Sequence, residues 1–237
     1  MAEILFAIGD IHGCKKELDI IHNKIKKYCT NKNKKPIITY LGDYIDRGPK
    51  SQEVIQTIID FNLPNLEKIC LLGNHEQMLL DVLNNKKNSL YQWIANSGVE
   101  TLESYGGNLN EFVDFNMELS FEKKIYSKID EFIPIEHKKF YNSLKLFYVW
   151  NNYIFVHAGI DPQLDIKKQE KETLIWTRDK KFYDPLMKYT KRIVHGHTPV
   201  NTVEFNRYRI NIDTGCFKTG KLTCLVIDEN NIDILNS

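Results

Sequence analysis

Short apolar segments at Ile4 to Ile8, Ile37 to Leu41, Ile69 to Leu72, Tyr153 to Val156 and Arg192 to Val194 each stop abruptly at small or ionisable residues. Near-continuous apolar character, rather than alternation, is the pattern of strands covered on both faces. Between the first three segments, Leu18, Ile21 and Ile25 fall on one helical face, and Val54, Ile55, Ile58 and Ile59 on another. That alternation predicts an α/β fold. In open α/β sheets ligands collect beyond the carboxyl ends of the strands, so the residues at which these segments stop are the first place to look for chemistry.

The rest of the chain adds to this frame. From about residue 77 to residue 146 the sequence becomes helical and charged, broken at Ser104 to Asn108 and at Pro134, and predicts a helical insertion over the sheet. After Thr202, four short segments (Thr202 to Phe205, Tyr208 to Ile212, Leu222 to Ile227 and Ile232 to Leu235) are separated by turn-forming residues and predict an antiparallel meander. A length of 237 residues with 42% hydrophobic content suits one domain over 1–237 carrying that insertion.

Lys and Arg total 32 against 31 Asp and Glu, so no overall field draws in nucleic acid or an anionic membrane, and attraction for a phosphate has to be local. The five cysteines are odd in number and lack close-paired zinc or redox spacing; they read as reduced, partly buried thiols. No basic leader with a long apolar core opens the chain and no window approaches a membrane span, which predicts a soluble cytoplasmic protein. The Lys, Asn and Ile runs read as codon bias.

Chemistry is concentrated in five clusters. Gly9-Asp-Ile-His-Gly13 places a carboxylate and an imidazole two residues apart, on one side of an extended strand end. Gly42-Asp-Tyr-Ile-Asp-Arg-Gly48 supplies a carboxylate and then an Asp-Arg pair, and Gly73-Asn-His-Glu76 an amide oxygen and an imidazole. His157-Ala-Gly159 and His195-Gly-His-Thr198 again set histidines beside small residues. Taken singly, each cluster is more often a capped turn or a hydrogen-bonded histidine than a ligand. Five of the seven histidines fall in them, with only His22 and His137 elsewhere on expected helices, and chance placement explains that poorly. The glycine spacing, with no Lys-Ser/Thr following, is not that of a Walker or dinucleotide loop.

The order and wording of these clusters resemble the calcineurin-like metallophosphoesterases, in particular the bacterial and phage-lambda-type serine/threonine phosphoprotein phosphatases. The resemblance continues through Trp93 to Tyr105, Pro134 to Phe140, Phe155 to Pro162, Leu174 to Phe182 and Asn211 to Leu225, most of the chain. It implies a metallophosphoesterase-type β-sandwich flanked by helices, binding two divalent metal ions about 3.5 to 4 Å apart. It further implies that Asp10 and His12 hold one metal, that Asp43 bridges, and that Asn74, His157 and His197 complete the second site. His197, in the Gly-His-Thr unit, takes the metal; His195 is kept nearby. A bridging hydroxide is then the nucleophile. Arg47 and Arg178, with Asn74, match phosphate-binding positions, and His75 is the general acid with Asp46 accepting its other N–H. Oxygen and nitrogen ligands without thiolate favour Mn, Fe or Zn, with Mn²⁺ chosen for assay.

Plainer readings stand beside these: Asp46-Arg47 as a surface turn salt bridge, Arg178 packing on Trp176, and Asp213-Thr-Gly215 as a tight turn, left outside the catalytic set. Tyr91, Trp93, Tyr105 and Phe112 read as helix core in preference to a substrate groove. The expected activity is metal-dependent hydrolysis of phosphomonoesters by a monomer, acting on a phosphoprotein (Ser/Thr, then Tyr) or a small phosphoester, with no nucleic-acid or membrane partner. Symmetrical dinucleoside tetraphosphate hydrolysis is the alternative, supported by Arg47-Gly-Pro-Lys-Ser51 and opposed by Asp46. A non-enzymatic reading makes the chain a metal-bearing regulatory module with the 77–146 insertion as its partner surface.

Overall fold

The computed structural model describes residues 2–30, 32–108, 119–184, 186–229 and 231–237; for 119–125 only the backbone is described. Strands β1 (Glu3–Ile8), β2 (Lys35–Tyr40) and β3 (Glu67–Cys70) are parallel, and helices α1 (Lys15–Cys29) and α2 (Ser51–Asp60) connect them. The α1 face is Leu18, Ile21, His22 and Ile25, and the α2 face Val54, Ile55 and Ile58. Both are the stripes that the helical period predicts.

After β3 the described chain is helical: α3 (Asn74–Leu83), α4 (Ser89–Ala95), α5 (Val99–Ser104), α6 (Leu119–Phe132) and α7 (Ile135–Asn142). Then come β4 (Phe147–Trp150), β5 (Tyr153–Val156), α8 (Lys171–Trp176), α9 (Lys180–Tyr183), β6 (Arg192–His195), β7 (Glu204–Phe205) and β8 (Arg209–Asn211), and finally α10 (Cys216–Thr219), β9 (Thr223–Asp228) and β10 (Asn231–Asn236).

Among the described residues these strands form two five-stranded sheets, ordered β10-β9-β1-β2-β3 and β4-β5-β6-β8-β7. Alternation along each strand divides its side chains between two cores. Leu5, Ala7, Ile37 and Ile69 point between the sheets, where they meet Phe155, Val194, Ile210 and Ile212. Ile4, Phe6, Ile8 and Ile38 point outward against the helices. Ile154, Val156 and Ile193, on the outer face of the second sheet, pack under Leu174, Ile175 and Phe182. The α/β sandwich flanked by helices is therefore present, and coverage on both faces is why the strands read as unbroken apolar runs.

The expected antiparallel meander is not. β7 pairs antiparallel with β8 and β9 with β10, but β8 lies parallel to β6 in one sheet whereas β9 pairs with β1 in the other. The chain crosses the sandwich between them. Both hairpins carry an inward apolar face, so their patterns match while their sheets differ. β4 was not anticipated at all; it is a half-buried edge strand, antiparallel to β5. Trp93 and Tyr105 are core residues as expected, Tyr91 is exposed, and Phe112 lies outside the described residues.

Candidate active site

The ends of β1, β2, β3, β5 and β6 open onto one region, and each delivers one of the five clusters to it. Asp10, His12, Asp43, Asn74, His157 and His197 are all buried there. One ligand atom each of Asp43, His157 and His197 lie within 4.8 Å of one another, as do those of His12, Asp43 and His75. Asp43 thus belongs to both groups, and His75 rather than Asp10 sits with it and His12. Asp10 joins from the side: its Oδ2 accepts the His197 backbone N–H at 3.0 Å.

Backbone carbonyls set the ring orientations. His12 Nδ1–H donates to the Ile45 carbonyl at 2.8 Å and His157 Nδ1–H to the Leu41 carbonyl at 2.9 Å, which leaves the lone pair of each Nε2 facing inward. His157 Nε2 and His197 Nδ1 each stand 3.0 Å from Asn74 Oδ1, and because His157 Nδ1 carries the hydrogen, its Nε2 faces that oxygen acceptor to acceptor. Asp10 Oδ1 and His197 Nε2 are buried with no hydrogen-bond partner. Burial holds His12 and His197 down to about 3 and depresses His157 as well, so these rings are neutral. Converging lone pairs and an orphaned carboxylate oxygen are what a cation would satisfy, and the donor set, oxygen and nitrogen without sulfur, fits two hard or borderline divalent ions.

The backbone accepts unusual conformations to achieve this. His12, Asp43, Asp46, Arg47 and His197 all have positive φ, between 46° and 68°, a region costly for residues with a Cβ. Close approach demands glycine beside them: a Cβ on Gly196 would run into Asp10 Oδ1, and one on Gly73 into the Asp43 carboxylate and backbone N–H. Glu76 ties the second loop to α3. Its carboxylate accepts from the N–H of Asp43, Tyr44, Ile45 and Gly73 at 2.7–3.3 Å. Burial and then Asp43 push its carboxyl up to about 8.

Asp46 is no surface turn. It is fully buried, and its carboxylate accepts from His75 Nδ1–H at 2.7 Å, from Trp93 Nε1–H at 3.1 Å and from the Thr101 hydroxyl at 2.6 Å. Burial opposes a charge on His75, but Asp43 and Asp46 outweigh it and hold the imidazole above its ordinary value. Arg47 donates to His12 Nε2 at 3.0 Å and His75 Nε2 at 3.2 Å, and its guanidinium lies 4.7 Å over the Phe217 ring. It lines a cleft of about 420 Å³ together with Ser97, Glu100, Pro199, Phe217 and Lys218. Arg178 is exposed, two residues after Trp176, whose ring meets the His197 edge at 6.1 Å; its positive charge reaches His197. His195 lies outside the ligand groups, with Nε2 accepting from Arg209 at 3.1 Å.

Four residues at the site escaped the sequence reading of roles: Glu76, Trp93, Thr101 and Asp213. Glu76 had a signal, because Gly73-x-x-Glu76 is a capping-box spacing. Asp213 had one too, since it follows β8, a parallel strand whose end opens on the same region. It is both turn and site: Oδ1 accepts the Gly215 N–H at 2.9 Å, burial and then Asp43 raise its carboxyl to about 6, and its own charge helps raise Asp10. Nothing local marks Trp93 and Thr101; they reach Asp46 through the fold.

A two-sheet α/β sandwich with a nitrogen and oxygen donor set at its strand ends is the architecture of a metallophosphoesterase. The model of the calcineurin-like phosphoesterases matches residues 5–235, and the chain belongs to that family, whose members use divalent metals. It is 31% identical over 236 residues to an asymmetrical bis(5'-nucleosyl)-tetraphosphatase PrpE of Oceanobacillus iheyensis, covering 91% of this chain and 85% of that protein. The corresponding protein of Bacillus subtilis is 28% identical over 239 residues. Among solved structures, a putative diadenosine tetraphosphatase superposes with a TM-score of 0.67 at 17% identity, covering 100% of this chain and 95% of that one. A cold-active protein-tyrosine phosphatase of Shewanella does so at 0.60 and 16%, covering 100% and 80%. These likenesses show the fold. The named activities of the sequence relatives are asymmetrical, whereas the sequence alone suggested the symmetrical reaction as the alternative.

Proposed function

We propose that the protein hydrolyses phosphomonoesters, with phosphoproteins as its substrate class, in a reaction that depends on two divalent metal ions. Asp10, His12 and Asp43 would hold one ion, and Asp43, Asn74, His157 and His197 the other. When bound, the pair would supply an activated water nucleophile and positive charge against the phosphate oxygens. Arg47, held between His12 and His75 and lining the cleft, binds the phosphate with its planar fork, joined by Arg178 and by Asn74. His75 delivers the proton to the departing oxygen.

The observation that carries this reading is the His75–Asp46 pair with its Trp93 and Thr101 hydrogen bonds. A serine or tyrosine oxygen leaves as a strong base and needs a proton in the transition state, where a placed acid contributes about 10²–10⁴-fold. A phosphate leaving group, released from a phosphoanhydride, is weakly basic and gains far less from such a donor. Dinucleoside tetraphosphate hydrolysis remains the second reading, favoured by the names of the relatives at 31% and 28% identity.

The deciding experiment compares Mn²⁺-dependent rates on phosphoserine peptide, phosphotyrosine peptide and diadenosine tetraphosphate, for wild type and His75→Asn. Phosphopeptide turnover should dominate and fall about 10²–10⁴-fold in the variant, with metal content unchanged. Faster cleavage of diadenosine tetraphosphate, insensitive to His75→Asn, would select the second reading. No metal-dependent turnover of any of the three would falsify both.

A further inference from the structure

The sequence separates Cys14 from Cys216 by most of the chain, but the fold brings them together beside the site. Cys14 follows His12 and Gly13 at the start of α1, and Cys216 opens α10 after the left-handed Gly215. Their sulfurs lie within 4.8 Å of one another. Cys14 Sγ–H in turn donates to the His12 carbonyl at 3.5 Å. Cys14 is half-buried and open to a small reagent, whereas Cys216 is buried behind it. A partly accessible thiol backed by a second one is an arrangement in which oxidation of the first can be resolved by the second.

We propose that Cys14 and Cys216 form a reversible disulfide that responds to hydroperoxides and adjusts the phosphate end of the site. The Cys14 sulfur attacks one oxygen of the hydroperoxide; the O–O bond breaks, an alcohol or water departs, and a sulfenic acid remains. The Cys216 sulfur then attacks the sulfenic sulfur, its proton leaves with the hydroxyl as water, and the S–S bond forms. Two thiols are oxidised by two electrons and one hydroperoxide is reduced.

The bond length of about 2.05 Å requires the two sulfurs to draw together from their separation of up to 4.8 Å, and the neighbouring residues must follow. Phe217 is the next residue after Cys216. Its ring lies under the Arg47 guanidinium at 4.7 Å and against the His12 imidazole at 5.4 Å. Oxidation also removes the hydrogen that Cys14 donates to the His12 carbonyl. The disulfide therefore acts on two residues of the site without occupying it. This effect on rate rests on the hydrolase reading above; the pairing of the thiols does not.

The test uses the full-length, Mn²⁺-loaded protein and one equivalent of tert-butyl hydroperoxide. Mass spectrometry of a digest should find a peptide linking Cys14 to Cys216, titratable thiols should fall from five to three, and dithiothreitol should reverse both changes. kcat/KM on phosphopeptide should drop several-fold and recover with reductant. Cys14→Ser and Cys216→Ala should each start at wild-type activity and resist the oxidant. Sulfinic acid at Cys14 without the linked peptide, or no modification at either cysteine, overturns the pairing. A linked peptide with unchanged kcat/KM overturns the effect on Arg47 and His12. An enzyme that turns over nothing before oxidation counts against the hydrolase reading, and the peptide assay still decides the thiol pair.

Discussion

At the scale of single residues, the site is an assembly of side chains that each satisfy a second demand. Asp46 accepts from His75 and is itself held by Trp93 and Thr101, so the proposed proton donor depends on a tryptophan far from Asp46 in sequence. Trp93→Phe keeps the ring in the core and removes only the N–H. A hydrogen bond to a charged group contributes about 1.5–3 kcal/mol, so kcat on phosphopeptide should fall about tenfold or more while KM and bound metal stay constant. An unchanged kcat would mean that the indole only packs. The residues proposed to hold the metals stood out because Asp, His and Asn types recur at strand ends, and the structure buries them in one region. Their backbone conformations were not: nothing in Asp43 or His197 as letters says that φ is positive. Glu76 was visible as part of a cluster, but its four backbone hydrogen bonds follow from where β2 and α3 meet in space.

At the scale of elements, the first three strands and the two helices between them were legible, because period and burial agree: Leu5 and Ala7 face one core, Ile4 and Phe6 the other. The tail was not, because a hairpin's alternation does not say which sheet it joins. The segment from β8 to β9 settles the matter in the structure. Ile212 N–H donates to the His195 carbonyl at 3.0 Å, and its side chain fills the space between the sheets. Ile212→Ala should cost about 2–5 kcal/mol in a urea titration, and it should also weaken metal binding, since Asp213 is the next residue. Loss of stability with no change in metal affinity would mean that the crossing strand carries no influence on Asp10. β4 was hidden for a different reason, since an edge strand with half-buried residues lacks the apolar density of its neighbours.

At the scale of the whole molecule, one buried histidine away from the site links the fold to pH. His22, on α1, accepts or donates at Tyr40 Oη at 2.8 Å; burial first, and then Lys26 and nearby lysines, lower its value from 6.5 to about 3. The unfolded chain therefore binds a proton that the folded one refuses. The resulting stability is intact above pH 6.5 and drains away as pH falls from 6.5 toward 3. Between 6.5 and 5 the loss is about 2 kcal/mol. Urea midpoints at pH 7 and 5 should differ less in His22→Gln than in wild type, and equal differences would assign the pH dependence elsewhere.

The two sheets divide the proposed donor set unequally. Asp10, His12, Asp43 and Asn74 hang from the first sheet, and His157 and His197 from the second. Four of the six donors therefore come together through neighbouring parallel strands close in sequence, and the last two arrive only when the second layer docks. Refolding then has a built-in clock. Weak metal capture should precede tight capture, and the interval between them should measure how long one sheet takes to find the other. Stopped-flow uptake of Mn²⁺ should show two phases in wild type and only the early, weak one in His157→Ala/His197→Ala.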